Sequence, residues 1–483
     1  MLRSTGYEAV RKKGILIMEG IGFELRKYLD GDSRHGSVEA FRFAGLVSAG
    51  PWVLFILGLM LVGMGVMGTF LAQSASSLEA RSFTTSVIWL IGTSMILTGL
   101  LQFMFARFVA DRLVEGKYEY INPNLLGVIL LVTAFSGVIG IASALLVSRG
   151  GLVYEMLMIG NFVLLSNIWI IVVFVAGLKR YKLILASFAA AYSVTAVFSL
   201  MLISMGLNGL LISLLLGHGL LLFTMLGVIM PEYPVTKGVR LDFLRPSQIF
   251  PILILIGVFY NLGIWADKLI FWSIAETSGA VIGQLRASLV YDLPIFLAYL
   301  SIIPGLVVFL LRVETDFSAA YEGFFTAIHG NAGVQEIEKL ADEMVLTVRD
   351  GLFQIAKIQG VAVMVFYLLG PSIISTFGFS KAYVPLFYIG LVGVAAQVIM
   401  LAILNVFFYL DKLRSACFLC LVLLVSNTVF TVFTIKLGPE YYGYGFGLSM
   451  TFSALFGVLL LARELKRFEF HTFMRAQSGN AMA

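Results

Sequence analysis

Asn261 to Trp272 reads NLGIWADKLIFW, inside an apolar run from Ile249 to Ala275 whose charged residues are Asp267 and Lys268. Opposite charges thus sit side by side in a segment long enough to cross ~30 Å of hydrocarbon, which takes roughly 20 residues. A charge facing lipid costs a few kcal/mol or more, so such groups turn toward protein or a water-filled cavity. Whether the run is a membrane span decides both the fold and what the charges are for.

Composition settles the first question. Of 483 residues, 59% are hydrophobic and 13% are charged, against about 25% charged in soluble domains. The chain cannot cover a soluble surface of its size. At roughly 20 residues each, about 12 spans fit, starting near Phe43, Phe83, Asn124, Leu152, Leu183, Asn208, Ile249, Arg286, Leu352, Val384, Ser415 and Phe446. The 48 glycines suit close helix contact where lipid offers no hydrophobic drive for association. The fold class is an all-α polytopic membrane protein.

The net charge of +5 does not point to nucleic acid, because the basic residues fall in short loops between spans. With the amino terminus in the cytoplasm, nearly all Lys and Arg lie inside. Arg81, Arg149, Arg286, Lys381 and Lys436 lie outside, and Lys268 lies within a span. Both termini are therefore expected in the cytoplasm.

The organisation follows from the loops. Residues 1–42 are a basic leader, in which Ile21, Leu25, Tyr28 and Leu29 at helical spacing suggest a short interfacial helix. A leader that merely fixes topology fits equally well. No cleavable signal peptide is evident, and Met18 is a second candidate start. A first six-helix bundle covers 43–230, and a cytoplasmic linker 231–247. A second bundle covers 248–462, and a tail 463–483. Within the second bundle, Phe317, Ala320, Tyr321, Phe324, Phe325 and Ile328 form one apolar stripe. Val334, Ile337, Leu340, Ala341, Met344, Val345 and Val348 form another. They predict a cytoplasmic helical hairpin over 312–350, either merely solvated or a docking surface.

Counting from the outer ends of their spans, near Ala275 and Gln284, places Asp267 and Asp292 both roughly 12 Å deep at 1.5 Å per residue. With Lys268 they make a net negative site whose guests are a proton, a metal cation or a polar substrate. A structural ion pair is the plainer alternative. Trp265 and Trp272 flank the pair on nearly one face. They suit stacking on sugar rings in a cavity, or anchoring at a lipid interface. Pro51, Pro294 and Pro304 are helix-bend candidates, and Pro251 is expected to break the seventh span. His218 in the sixth span reads as a satisfied core histidine or a proton relay.

Enzyme signals are thin. "CFLC" at Cys417–Cys420 opens a span and reads as packing rather than redox chemistry. "DGD" at Asp30–Asp32 lacks a nucleotide-binding domain around it. There is no P-loop for ATP hydrolysis. No metal site, cofactor or catalytic residue is expected.

"MEGIGFELRKYL" from Met18, "SAGPWVLF" from Ser48, "WADKLIFW" from Trp265 and "YDLPIFLAYLSIIPGLVVFLLRVETDF" from Tyr291 together resemble the inner-membrane transporters of Pel exopolysaccharide secretion, the PelG family. That family is placed in the multidrug/oligosaccharidyl-lipid/polysaccharide (MOP) flippase superfamily. The resemblance implies two six-helix bundles around a central cavity, as in MATE-like flippases, in the bacterial inner membrane. It implies an N-acetylhexosamine-rich polymer as cargo. It also implies as partners a cytoplasmic glycosyltransferase and inner-membrane subunits including a cyclic-di-GMP receptor. Asp267, Lys268 and Asp292 would then line or gate the path, with coupling to Na+ or H+ open. Two other functions remain: a cation-coupled antiporter or flippase of small molecules or lipid-linked oligosaccharides, and a non-transporting scaffold.

Overall fold

The computed structural model describes residues 76–466 apart from 147–149, 176–180, 235–237, 247, 331 and 377–379. The leader, the span expected from Phe43, Pro51 and the tail beyond 466 lie outside the described residues. Among those described, 10 helices are long and apolar enough to cross a membrane, or up to 11 if a bent pair counts as one span.

The bent pair is α1 (Ser76–Thr98) and α2 (Gln102–Val114), which meet at 52°. Near the break the Thr98 hydroxyl donates to the Ser94 carbonyl at 2.8 Å, a back-bond that bends helices. Four spans follow: α3 (Ile121–Leu146), α4 (Leu152–Val175), α5 (Tyr181–Met201) and α6 (Gly206–Ile229). The span of the opening sequence is α7 (Pro251–Ser273). Pro251 sits in its first turn, where a missing N–H costs no bond, so it does not break the span as expected.

A two-stranded hairpin comes next, and the apolar pattern did not predict it. β1 (Gly279–Ile282) pairs antiparallel with β2 (Leu285–Ala287), Gly279 opposite Ala287. Gly283 turns it with φ 53°. The eighth span therefore starts at Leu289, not near Arg286. It runs as α8 (Leu289–Tyr299) and α9 (Ile302–Leu311). The break at Leu300–Ser301 falls between Pro294 and Pro304. Ser301 donates from its hydroxyl to the Ala298 carbonyl at 2.7 Å, and its own carbonyl accepts from Gln359 Nε2 at 2.9 Å.

The helices expected in 312–350 are present and continuous with the spans. A wide turn at Arg312–Phe317 leads into α10 (Ser318–His329), and α11 runs unbroken from Val334 to Thr376. Phe317, Phe324, Ile337, Ala341, Met344 and Val348 are buried, so the stripes are packing faces. α12 (Val384–Tyr409), α13 (Leu413–Leu437) and α14 (Tyr444–Lys466) complete the chain. α14 packs on α12 and α13, and α11 on α9, α10 and α12. Cys420 is buried and Cys417 half-buried, both as free thiols.

The chain divides into two compact units between Leu289 and Val290. This differs from the division expected within 231–247, which put α7 in the second bundle. α7 packs on α1 and α2, and the linker is bound down rather than free. Asn122 donates through Nδ2 to the carbonyls of Met230 and Tyr233 at 2.9 and 3.0 Å. Asn124 donates to Asp242 Oδ2 at 3.1 Å and accepts from the Asp242 backbone N–H at 2.7 Å. Phe243, fully buried, packs edge-on against Phe105 at 5.4 Å. Glycine at 127 permits this seating, since a Cβ there would lie 1.9 Å from the Arg240 carbonyl oxygen.

Candidate functional site

α7 reaches α1 through glycines. A Cβ on Gly257 would lie 2.0 Å from the Gly99 carbonyl oxygen, and one on Gly99 would lie 2.6 Å from Asn261 Nδ2. Two turns further along α7, a Cβ on Gly92 would lie 2.8 Å from the Trp265 indole. Backbone-to-backbone contact at one end and indole-on-glycine contact at the other fix which face of α7 meets α1.

The ion pair lies just beyond. Lys268 Nζ is 3.0 Å from Asp267 Oδ2 and 3.2 Å from Oδ1. Neighbours along a helix do not face each other, so the lysine must curl back. Its ammonium also donates to the Ile264 carbonyl at 3.3 Å and lies 5.7 Å from the Trp265 ring. Asp267 is fully buried, and Lys268 is 9% exposed. Two adjacent full charges are tolerated here because each neutralises the other and neither faces hydrocarbon.

Three tryptophans gather beside the pair. Trp265 and Trp272 have ring centroids 6.2 Å apart, and Trp89 of α1 lies 4.7 Å from Trp272. Trp272 is 2% exposed, so it is not an anchor facing lipid. The Trp265 Nε1–H is buried and has no hydrogen-bond partner among the described residues. Trp89 Nε1 donates to the Arg286 carbonyl at 2.8 Å, which ties the β-hairpin to the cluster. The hairpin also caps α7. Thr277 and Ser278 donate to the carbonyls of Phe271 and Trp272, at 2.6 and 2.9 Å. Arg286 donates to the Ser278 carbonyl at 2.6 Å. The Phe271 and Trp272 carbonyls are helix-end acceptors that otherwise lack partners.

Asp292 belongs to the other unit. It lies in the first turn of α8, in the second unit, and is half-buried. Along their own helices Asp292 is roughly 4.5 Å from the start of α8 and Asp267 roughly 9 Å from the end of α7. An acidic side chain in a first turn suits the positive end of the helix dipole. Reading the sequence alone missed Trp89, Gly92 and Arg286. The available signal was small residues at Gly92 and Gly99, seven apart on one face of α1.

Comparison with known proteins identifies the family. Residues 18–473 match PelG, described as "Putative exopolysaccharide Exporter (EPS-E)". The chain belongs to the PelG family. No curated protein matches it by sequence. Among solved structures it is similar to a MATE transporter in a bent conformation, at TM-score 0.61 and 12% identity, covering 95% of this chain and 99% of that one. It is also similar to a MOP superfamily transporter from Pyrococcus furiosus, at TM-score 0.56 and 12% identity, covering 96% and 97%. A third is a point mutant of the Vibrio cholerae MATE transporter VcmN, at TM-score 0.56 and 13% identity, covering 96% and 98%. This PelG-family chain thus has the MATE fold and is a multi-pass membrane transporter rather than an enzyme.

Proposed function

We propose that this PelG-family transporter moves a Pel-type, N-acetylhexosamine-rich exopolysaccharide from the cytoplasm to the periplasm across the bacterial inner membrane. The match to the exporter family over residues 18–473 carries this reading. The chemistry around α7 supports it. A carboxylate and an ammonium satisfy hydroxyls and acetamides, Trp265 offers an aromatic face, and its unpaired N–H offers a donor to a carbonyl or ring oxygen. Asp267, Lys268 and Trp265 border the path in this reading, with Trp272 holding Trp265 in place. Asp292, in the second unit, is a separate candidate for the same path.

The loops rich in Lys and Arg, both termini and the turn joining α10 to α11 face the cytoplasm. That hairpin receives a cytoplasmic glycosyltransferase, and neighbouring inner-membrane subunits include a cyclic-di-GMP receptor. Inward movement of H+ or Na+ supplies energy. A single charge gains only ~2.3 kcal/mol per 100 mV, so polymer synthesis itself contributes to the drive. The test is hexosamine polymer released by a strain lacking this gene. Complementation with the full chain restores release. Unchanged release in the deletion strain would refute the reading.

A further inference from the structure

α6 carries one titratable side chain, His218, and it is 2% exposed. Its tautomer is set by Asn161 of α4. Asn161 donates through Nδ2 to the carbonyls of Leu157 and Leu211, at 2.9 and 3.1 Å. Carbonyls only accept, so the amide orientation is fixed and its oxygen faces His218 Nδ1 at 3.2 Å. That oxygen also only accepts, so Nδ1 carries the hydrogen. Nε2 is then a bare lone pair, buried and without a hydrogen-bond partner among the described residues. A buried acceptor left unsatisfied is destabilising.

A lone pair on a buried imidazole accepts a proton, a metal ion or a water. A metal needs further ligands, and no group of three or more His, Cys, Asp or Glu gathers among the described residues. The titratable and charged groups on the elements packed against α6 are Glu79 and Arg81 of α1, Tyr154 and Glu155 of α4, Tyr181, Lys182 and Tyr192 of α5 and Glu232 beyond its end. Glu79 lies against Gly206, twelve residues or roughly 18 Å from His218 along α6. Glu232 lies fourteen residues beyond it. Tyr154 is hydrogen-bonded to Ser86 at 2.9 Å. Next along α6 the packing is tight: a Cβ at 217 would lie 1.9 Å from Thr195 Oγ1, whose hydroxyl donates to the Ala191 carbonyl at 3.0 Å.

We propose that His218 Nε2 is a proton-binding site inside the first unit, used during transport. Its ligand is a proton delivered by water. In the conformation described, the site is held neutral, because an imidazolium would place a second N–H at Nε2 with no acceptor. A conformation that admits water to α6 lets the ring protonate, and expelling that water releases the proton. The ring therefore couples proton occupancy to the state of the first unit. This goes beyond the cargo assignment and does not depend on it.

The test is deuterium exchange at the imidazole C2–H, read by mass spectrometry on the full chain in lipid nanodiscs across pH 5–9. The chain has four histidines, and the method resolves them individually. Exchange at His218 with a titration midpoint between about pH 5 and 8, where histidine switches, is the expected result. Absence of titrating exchange at His218 over that range overturns the proposal, whatever the cargo. The second arm is export by His218→Gln at matched membrane levels. Loss of export with an unchanged melting temperature is expected, and wild-type export by the variant overturns the role in transport.

Discussion

Removing either half of the Asp267–Lys268 pair takes the adjacent counter-charge from a buried charge where there is little water. Breaking a buried pair costs about 3–5 kcal/mol, while replacing both partners by apolar residues of similar size is often neutral. Lys268→Met alone should therefore lower the stability of the purified protein by about 3–5 kcal/mol. Asp267→Leu combined with Lys268→Met should restore most of it. Thermal unfolding in detergent reads both. Trp265 gives a contrasting case. Its N–H is buried with no hydrogen-bond partner among the described residues, while its ring packs on Gly92 and Trp272, so Trp265→Phe loses packing but no hydrogen bond and should cost less than the about 3–5 kcal/mol of a full truncation to alanine. A loss as large as that full truncation would mean that the N–H has a structural partner.

At the scale of the element, the contact between α1 and α7 depends on glycine. The backbone oxygen of Gly99 occupies the place of a Cβ on Gly257, and a backbone cannot rotate away as a side chain can. Gly257→Val should cost at least the 1–3 kcal/mol of ordinary overpacking, read as lost membrane-inserted protein on a fluorescence-detected sizing column. The linker makes a separate prediction. Asn124→Ala leaves buried Asp242 short of a partner, at a cost of about 1–3 kcal/mol. Limited proteolysis within 231–247 should then run faster than in wild type. Equal rates would show that the linker is held without Asn124. The apolar runs and the positions of the helices were legible in the sequence, because span length and amphipathic stripes are local properties. The bend at 98–102, the β-hairpin and the seating of the linker were not. The hairpin and the linker are held by contacts of Asn122, Asn124 and Trp89 with residues roughly 110 to 200 positions away, for which the sequence offers no periodic signal.

At the scale of the whole molecule, the MATE fold and the PelG family agree with an export role, and the charge asymmetry of the loops predicts how the chain is threaded. Cysteines replacing exposed Lys381 and Lys436 should react with an impermeant thiol reagent added to spheroplasts, while one replacing exposed Lys339 should react only after lysis. The reverse pattern would invert the topology. The candidate site was half legible. Asp267 and Lys268 stood out as charges in an apolar run, and Trp265 and Trp272 as their neighbours. The grouping of Asp292 with them rested on counting residues through a loop that folds as a hairpin. The division after Leu289 was not visible either, because what makes α7 part of the first unit is its packing on α1 and α2. The most direct measurement is released hexosamine polymer from the deletion strain carrying Asp267→Asn at membrane levels matched to wild type. Abolished release with intact assembly of the partner subunits is the predicted result. Wild-type release would remove the ion pair from the transport path.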